Sequence, residues 1–398
     1  MTATHKSAPS RRRFLAGVAA LGAAATPLRF AIGQTAKIKL GLLLSYSGTY
    51  ASLANNITDA LKLRLAEAGG TLGGRAVEIV QLDDEAEPAK APQNTNKLIA
   101  GEKVDFLIGP VHSGVAMAMC KIAREEGTLT IVANAGANAV TRMLCAPNIF
   151  RTSFSNWQAC APMGKVMAEL GHKNVVTMSW KYAAGEEMLD AFSDGFKAKG
   201  GAIAKEILVP FPDVEFQAHL TDIAAIKPDA VFAFFSGGGA IKYMKDYAAS
   251  GLRASSPLYG PGFLTDGTLE GAGAAGQGIK TTLHYADDLD TAENHDFRAA
   301  FKKATGREAD VFAVQGYDTG TLLVKALAAV KGDTAAKGDI IAAMEQAEIA
   351  SPRGRLTFSK AHNPIQDIYL REARDGVNHM IGIAEPLVSD PGLGCRVA

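Results

Sequence analysis

The chain has no charge of one sign to spare: 41 lysines and arginines stand against 41 aspartates and glutamates. That balance supplies no field for nucleic acid or for an anionic membrane surface. Cysteine is scarce, four in 398 residues, too few to be the framework of a small disulfide-built fold. No Cys-x-x-Cys or His-x-x-x-His spacing offers a metal site, so neither metal nor cofactor is expected. After the N-terminal segment no run approaches the roughly 20 apolar residues of a spanning helix. There is no Gly-x-Ser-x-Gly elbow and no spacing that suggests a catalytic triad, and the chain is read as a binding protein rather than an enzyme.

Residues 1–33 differ from everything that follows. They hold five basic residues (Lys6, Arg11, Arg12, Arg13, Arg29) and no acidic one. Ser10-Arg11-Arg12-Arg13-Phe14-Leu15 precedes an Ala/Leu/Gly-rich stretch that ends in small residues before Gln34. This pattern predicts a signal peptide at 1–33, of the twin-arginine type, and hence a periplasmic protein. A membrane anchor is disfavoured because Thr26, Pro27 and Arg29 interrupt the apolar stretch. Without that segment 36 basic residues face 41 acidic ones, a formal charge of −5 over 365 residues. That length suits two domains. All four cysteines, Cys120, Cys145, Cys160 and Cys395, stay in this part, where an oxidising compartment permits two disulfides in three connectivities.

The remaining chain alternates short apolar runs with helical periodicity. Lys37–Leu44 reads as a strand and Ala54–Ala68 as a helix with Ile57, Ala60, Leu61, Leu65 and Ala68 on one stripe. The same alternation recurs through Val104–Ile108, Thr128–Val132, Asn174–Ser179 and Ala230–Phe235. Near-continuous apolar strands separated by helices predict parallel sheets covered on both faces. The tail changes: Leu356–Phe358, Asp367–Arg371 and Asn378–Gly382 read as strands without helices between them, suited to an existing sheet edge. Ligands of open parallel sheets lie beyond the carboxyl ends of the strands. The candidate loops are therefore Ser45–Tyr50, Gly109–Gly114, Ala133–Asn138, Trp180–Gly185, Ser236–Gly239 and Gly260–Asp266. They are rich in Gly, Ser, Asn and aromatic residues and poor in catalytic types.

These loops resemble those of the periplasmic substrate-binding proteins of branched-chain-amino-acid-type ABC transporters. The carriers are Ile38-Lys39-Leu40-Gly41 with Tyr46-Ser47-Gly48, Ile108 through Gly114, Val132 through Asn138, Phe150-Arg151-Thr152, Tyr182 through Gly185, and Gly260 through Phe263. The resemblance implies an α/β fold of two Rossmann-like lobes, the type I periplasmic binding protein, joined by a three-crossing hinge. Crossings are expected near 151–153, 282–285 and 359–362. Lobe one would hold 34–151 and 284–360, and lobe two 152–283 and 361–398. Cys120 and Cys145 then fall in one lobe, Cys160 and Cys395 in the other, and pairing within lobes is expected because a bridge between lobes would oppose closure. The disulfide of the amino-acid binders is not matched, since Asp83 and His112 stand in those neighbourhoods.

The departures bear on the ligand. In the amino-acid binders the Gly-Pro loop of lobe two carries a glutamate for the ligand's ammonium; here Gly262 stands there, followed by Phe263. A buried ammonium without a carboxylate costs several kcal/mol, which disfavours a free amino acid unless Asp266 or Asp318 substitutes. The resemblance is closest to the branch associated with aromatic-acid uptake, notably through Tyr259–Gly267. It implies a small-molecule ligand, an apolar, aromatic carboxylate, delivered to an ABC-transporter permease; a branched-chain amino-acid binder or a ligand-sensing receptor is the alternative. The expected contacts are Tyr50, His112, Ser113, Asn134, Ala135, Gly136, Trp180, Tyr182, Gly262 and Phe263. Ser113 is weighed against a plain helix N-cap, the Asn134–Gly136 backbone against turn chemistry, and the rings against ordinary packing. Gly271–Gly276 has the letters of a dinucleotide fingerprint but no preceding strand, and reads as a flexible loop. Asp287-Asp288-Leu289-Asp290 lacks calcium-loop spacing and reads as a solvated loop.

Overall fold

The computed structural model describes residues 36–397; the signal peptide expected at 1–33 lies outside the described residues. In chain order the first region runs β1 (Ile38–Leu44), α1 (Ala51–Glu67), β2 (Thr71–Leu72), β3 (Arg75–Asp83), α2 (Ala91–Asn96), β4 (Phe106–Gly109), α3 (Ser113–Glu126), β5 (Leu129–Val132) and β6 (Ile149–Arg151). The second runs α4 (Asn156–Glu169), β7 (Asn174–Lys181), α5 (Ala183–Lys197), β8 (Ala202–Pro210), α6 (Gln217–Ile226), β9 (Ala230–Phe234), α7 (Gly237–Ala249), β10 (Leu258–Pro261), α8 (Leu269–Ala272) and β11 (Lys280–Leu283). There follow α9 (Ala292–Thr305), α10 (Val311–Ala329), α11 (Lys337–Glu345), β12 (Ile349–Ser351), β13 (Gly354–Phe358), β14 (Pro364–Arg374) and β15 (Val377–Ser389).

Two sheets result. The first has six strands in the order β2-β3-β1-β4-β5-β6, parallel except at the β2–β3 pair. The second has nine, in the order β12-β13-β14-β11-β10-β9-β7-β8 with β15 on the outer edge of β14. Its β8, β7, β9, β10 and β11 run parallel. The tail adds β14 antiparallel to β11 and β15 antiparallel to β14, the edge pairing that its helix-free pattern predicts. Central strands are apolar throughout because both faces are covered: β4, β5 and β9 are buried at every residue. The second region begins with a capping box: Ser155 Oγ accepts from Gln158 N while the Gln158 side chain accepts from Ser155 N.

The chain leaves the first sheet after Arg151, leaves the second after Leu283, and passes again through 359–363 to β14. These passages are tied together. The Arg151 N–H donates to His362 O at 3.0 Å, and the His362 ring stacks on Phe150 with centroids 3.9 Å apart. The hairpin β12–β13, which the sequence puts in lobe one, pairs with the start of β14 in the second sheet through Thr357↔Ile365 and Phe358↔Pro364. It also carries Ser351, whose hydroxyl donates to Asp318 of α10 at 2.8 Å, so it bridges the two sides.

The expected cysteine pairing is corrected. Cys145 bonds Cys395, with Cα atoms 5.5 Å apart, and Cys120 and Cys160 are free and buried. The bond links the segment before β6 to the C-terminal tail, which returns to the hinge: Arg142 holds Asp390 with two hydrogen bonds of 3.0 Å, and Thr141 Oγ1 meets Asn363 at 3.2 Å. Two loop expectations also change. Gly273–Gly276 forms a 3₁₀ turn after α8. Asp287 is not a solvated residue but accepts from Asn378 N at 2.8 Å and faces Arg298 at 3.5 Å.

Candidate functional site

Where the carboxyl ends of the two sheets face each other, a cavity encloses about 300 Å³ of space, its mouth included. Six rings wall it: Tyr50, Phe154, Tyr182, Phe234, Phe263 and Phe312. Leu53, Val111 and Met188 add aliphatic surface, and the polar side chains are Ser113, Asn134, Asn156 and Ser236. No carboxylate, ammonium, guanidinium or imidazole lines it.

Strand ends explain why these residues meet. α3 begins at Ser113 after β4, α5 at Ala183 after β7, and α7 at Gly237 after β9. α1, α4 and α10 also begin at the rim, next to Tyr50, at Asn156 and next to Phe312. The first N–H groups of a helix lack partners in the helix, and its N-terminal end carries partial positive charge. The hydroxyl of Ser236 caps nothing in α7 and is buried without a hydrogen-bond partner in the protein. An uncharged, ring-lined cavity bordered by helix starts suits a flat anion.

The two sides touch across the cleft. The Tyr50 and Tyr182 hydroxyls are 2.9 Å apart; burial pushes both phenols up, so both keep their protons. Gly239 N donates to Thr49 Oγ1 at 3.2 Å, Asn138 N to Glu187 Oε2 at 2.8 Å, and Val311 N to Asp266 Oδ1 at 3.2 Å.

Of the residues singled out by sequence, Tyr50, Ser113, Asn134, Gly136, Tyr182 and Phe263 line the cavity. Four stand behind it. The His112 Nδ1 accepts from Gly114 N at 3.1 Å, which makes His112 and not Ser113 the cap of α3. Its ring stacks on Tyr182 at 4.6 Å, and burial lowers its pKa to about 4, so it is neutral. The Ala135 N–H, expected to be free for a ligand, is spent on Pro110 O at 2.9 Å. Trp180 is fully buried; its Nε1 donates to Asp213 O at 2.7 Å and its ring packs against Tyr50 and Phe235. It supports the wall without forming it.

Gly262 plays a different part from a ligand contact. A Cβ there would lie 2.2 Å from the Arg371 guanidinium and 2.6 Å from Leu283. Arg371, fully buried, pairs with Asp266 at 2.6 Å and donates to Tyr285 O at 2.8 Å. Asp318 is likewise taken, by Arg353 at 3.0 Å. Neither aspartate is left to meet a ligand ammonium.

Sequence reading missed Phe154, Asn156, Phe234, Ser236 and Phe312 as wall residues. Ser236 lay within a candidate loop, and Phe234 ends the strand before it. Phe154 and Asn156 follow the first passage, where chain entry from a hinge into a helix was the available signal; Phe312 opens α10, the second helix after the second passage, and no such signal marked it.

A family model described as periplasmic binding protein matches residues 37–378. The Leu/Ile/Val-binding protein homolog 6 of Brucella melitensis biotype 1 is 32% identical over 369 residues, 89% of this chain and 93% of its own length. Among solved structures, a solute binding protein of an ABC transporter from R. palustris, in complex with benzoate, is 55% identical with TM-score 0.89. The match covers 91% of this chain and 100% of that one. A second, from Rhodopseudomonas palustris BisB5 in complex with 3,4-dihydroxy benzoic acid, is 33% identical with TM-score 0.84, covering 89% and 99%.

Proposed function

The chain belongs to the periplasmic binding protein family, and on that premise we propose that it captures a small aromatic carboxylate for an ABC importer. The observation that carries this reading is the cavity itself: six rings, four neutral polar side chains and no ionised group, bordered by helix starts. The ring of the solute packs among Phe154, Phe234, Phe263 and Phe312. Its carboxylate takes the hydroxyls of Ser113 and Ser236 at the starts of α3 and α7, where Gly114 N and Gly239 N are already bonded to His112 Nδ1 and Thr49 Oγ1. A branched-chain amino acid would bring an ammonium that finds no free carboxylate, a loss of several kcal/mol. The benzoate and 3,4-dihydroxy benzoic acid bound by the two solved neighbours support the same ligand class.

In this proposal the lobes, 34–151 with 284–360 and 152–283 with 361–398, close about the three passages, and the Tyr50–Tyr182 contact seals the mouth. The β12–β13 hairpin stays paired to the second sheet while they move. The closed form docks on the permease, and residues 1–33 direct export by the twin-arginine route. The family's work is solute binding in the periplasm rather than catalysis.

A thermal-shift panel tests the reading. Benzoates or hydroxycinnamates should raise the melting temperature and leucine and valine should not. Stabilisation by leucine or valine alone would refute it.

A further inference from the structure

Asn156 gives the cavity a corner with an acceptor and no donor. Its side chain is fully buried and lines the cavity. Its Nδ2 donates to Glu187 Oε2 at 2.8 Å, and the same oxygen accepts from Asn138 N at 2.8 Å. A carboxylate facing the amide fixes its orientation, because the flipped amide would set oxygen against oxygen. Asn156 Oδ1 therefore points away from Glu187, and it is buried with no hydrogen-bond partner in the protein.

The surroundings reserve this atom. A Cβ on Gly136 would lie 2.1 Å from Asn156 Oδ1, so glycine is needed beside it. The donors at the start of α4 are spent: Asn156 N on Gly136 O at 2.7 Å, Trp157 N on Asn138 Oδ1 at 3.1 Å, and Gln158 N on Ser155 Oγ at 3.3 Å. A carboxylate would be repelled here, whereas a hydroxyl would be welcomed.

We propose that Asn156, held by Glu187, is a specificity residue that accepts a hydrogen bond from a ring hydroxyl, so that the solute is a hydroxylated aromatic carboxylate. This rests on the aromatic-carboxylate reading and narrows it. A buried acceptor left unmet penalises a ligand that lacks the donor. The amide also orients the solute, with its hydroxyl at α4 and its carboxylate at the opposing helix starts.

Calorimetric titration of the mature protein with benzoate and with 2-, 3- and 4-hydroxybenzoate tests it. At least one hydroxybenzoate should bind about tenfold or more tighter than benzoate. Asn156→Leu should collapse that ratio, and Asn156→Ala gives the same readout should the leucine variant not fold. Benzoate binding as tightly as all three hydroxybenzoates would overturn the inference and leave the aromatic reading standing. A ratio that persists in the Asn156 variants would also overturn it. Failure of every aromatic carboxylate to bind would instead refute the underlying function.

Discussion

The wall of the cavity and the layer just behind it are both buried, yet they are built from opposite chemistry. The wall carries rings and neutral polar groups. The layer behind carries three fully or nearly fully buried arginines, Arg151, Arg353 and Arg371. Each secures a passage between the sheets. Arg151 donates to Phe154 O and Ala137 O at 2.6 Å, and burial lowers its pKa to about 10, which leaves it charged at neutral pH. Arg353 donates to Ser153 O at 3.0 Å and to Thr152 O while pairing with Asp318. Arg371 joins Asp266 to the backbone at Tyr285. Charge is thus used to hold the frame and is kept off the cavity wall, which presents rings and neutral polar groups alone.

The largest effect should come from breaking the braced layer. Arg371→Met leaves Asp266 buried without its partner and should cost about 3–5 kcal/mol of unfolding free energy in urea titration. Adding Asp266→Leu should recover most of that loss. Gly262→Glu forces the two regions into one place, since its Cβ already meets the guanidinium at 2.2 Å. It should destabilise the fold by about 1–3 kcal/mol or more and create no binding of leucine, read by denaturation and calorimetry together. Ser113→Ala probes the wall alone: affinity for benzoates should fall by about 1.5–3 kcal/mol, the worth of a charge-assisted hydrogen bond, with the melting temperature of the free protein unchanged.

A further effect, read against pH, concerns a buried acid with no cation. Asp84 accepts from Ser45 Oγ at 2.6 Å and Ala86 N at 2.8 Å, and its other oxygen is unpartnered. Burial outweighs these bonds and raises its pKa to about 6. A raised folded value means the native state holds the proton more tightly. Its stabilising share is present below about pH 4 and lost as pH rises through about 6. Asp84→Asn should therefore remove a decline in stability between those values, measured as the difference from the parent chain at each pH. The lowered pKa of His112 acts in the opposite sense in both proteins and cancels in that difference.

Much of the architecture was legible because it is written locally. Periodicity marked most strands of both sheets, though not β2, β6, β11 or β12, and the helix-free tail announced its place at a sheet edge. The loops at the strand ends were found by the same rule, and six of ten named residues line the cavity. The rest depended on distances that no local pattern encodes. Trp180 and His112 sit one layer too deep because a strand end fixes position and not the direction of a side chain. Gly262 was noticed for a missing carboxylate, while its space is needed by Arg371, more than 100 residues later. The Cys145–Cys395 bond followed from a tail returning to the hinge, which spacing does not reveal.

The central claim is that an uncharged, ring-lined cavity seats an aromatic carboxylate by helix starts. The structure of the complex with 4-hydroxybenzoate tests it most directly. The account predicts the ring among Phe154, Phe234, Phe263 and Phe312, with the carboxylate on Ser113 and Ser236. A ligand whose carboxylate lies against a buried arginine, or an amino acid seated there with its ammonium on a carboxylate, would contradict it.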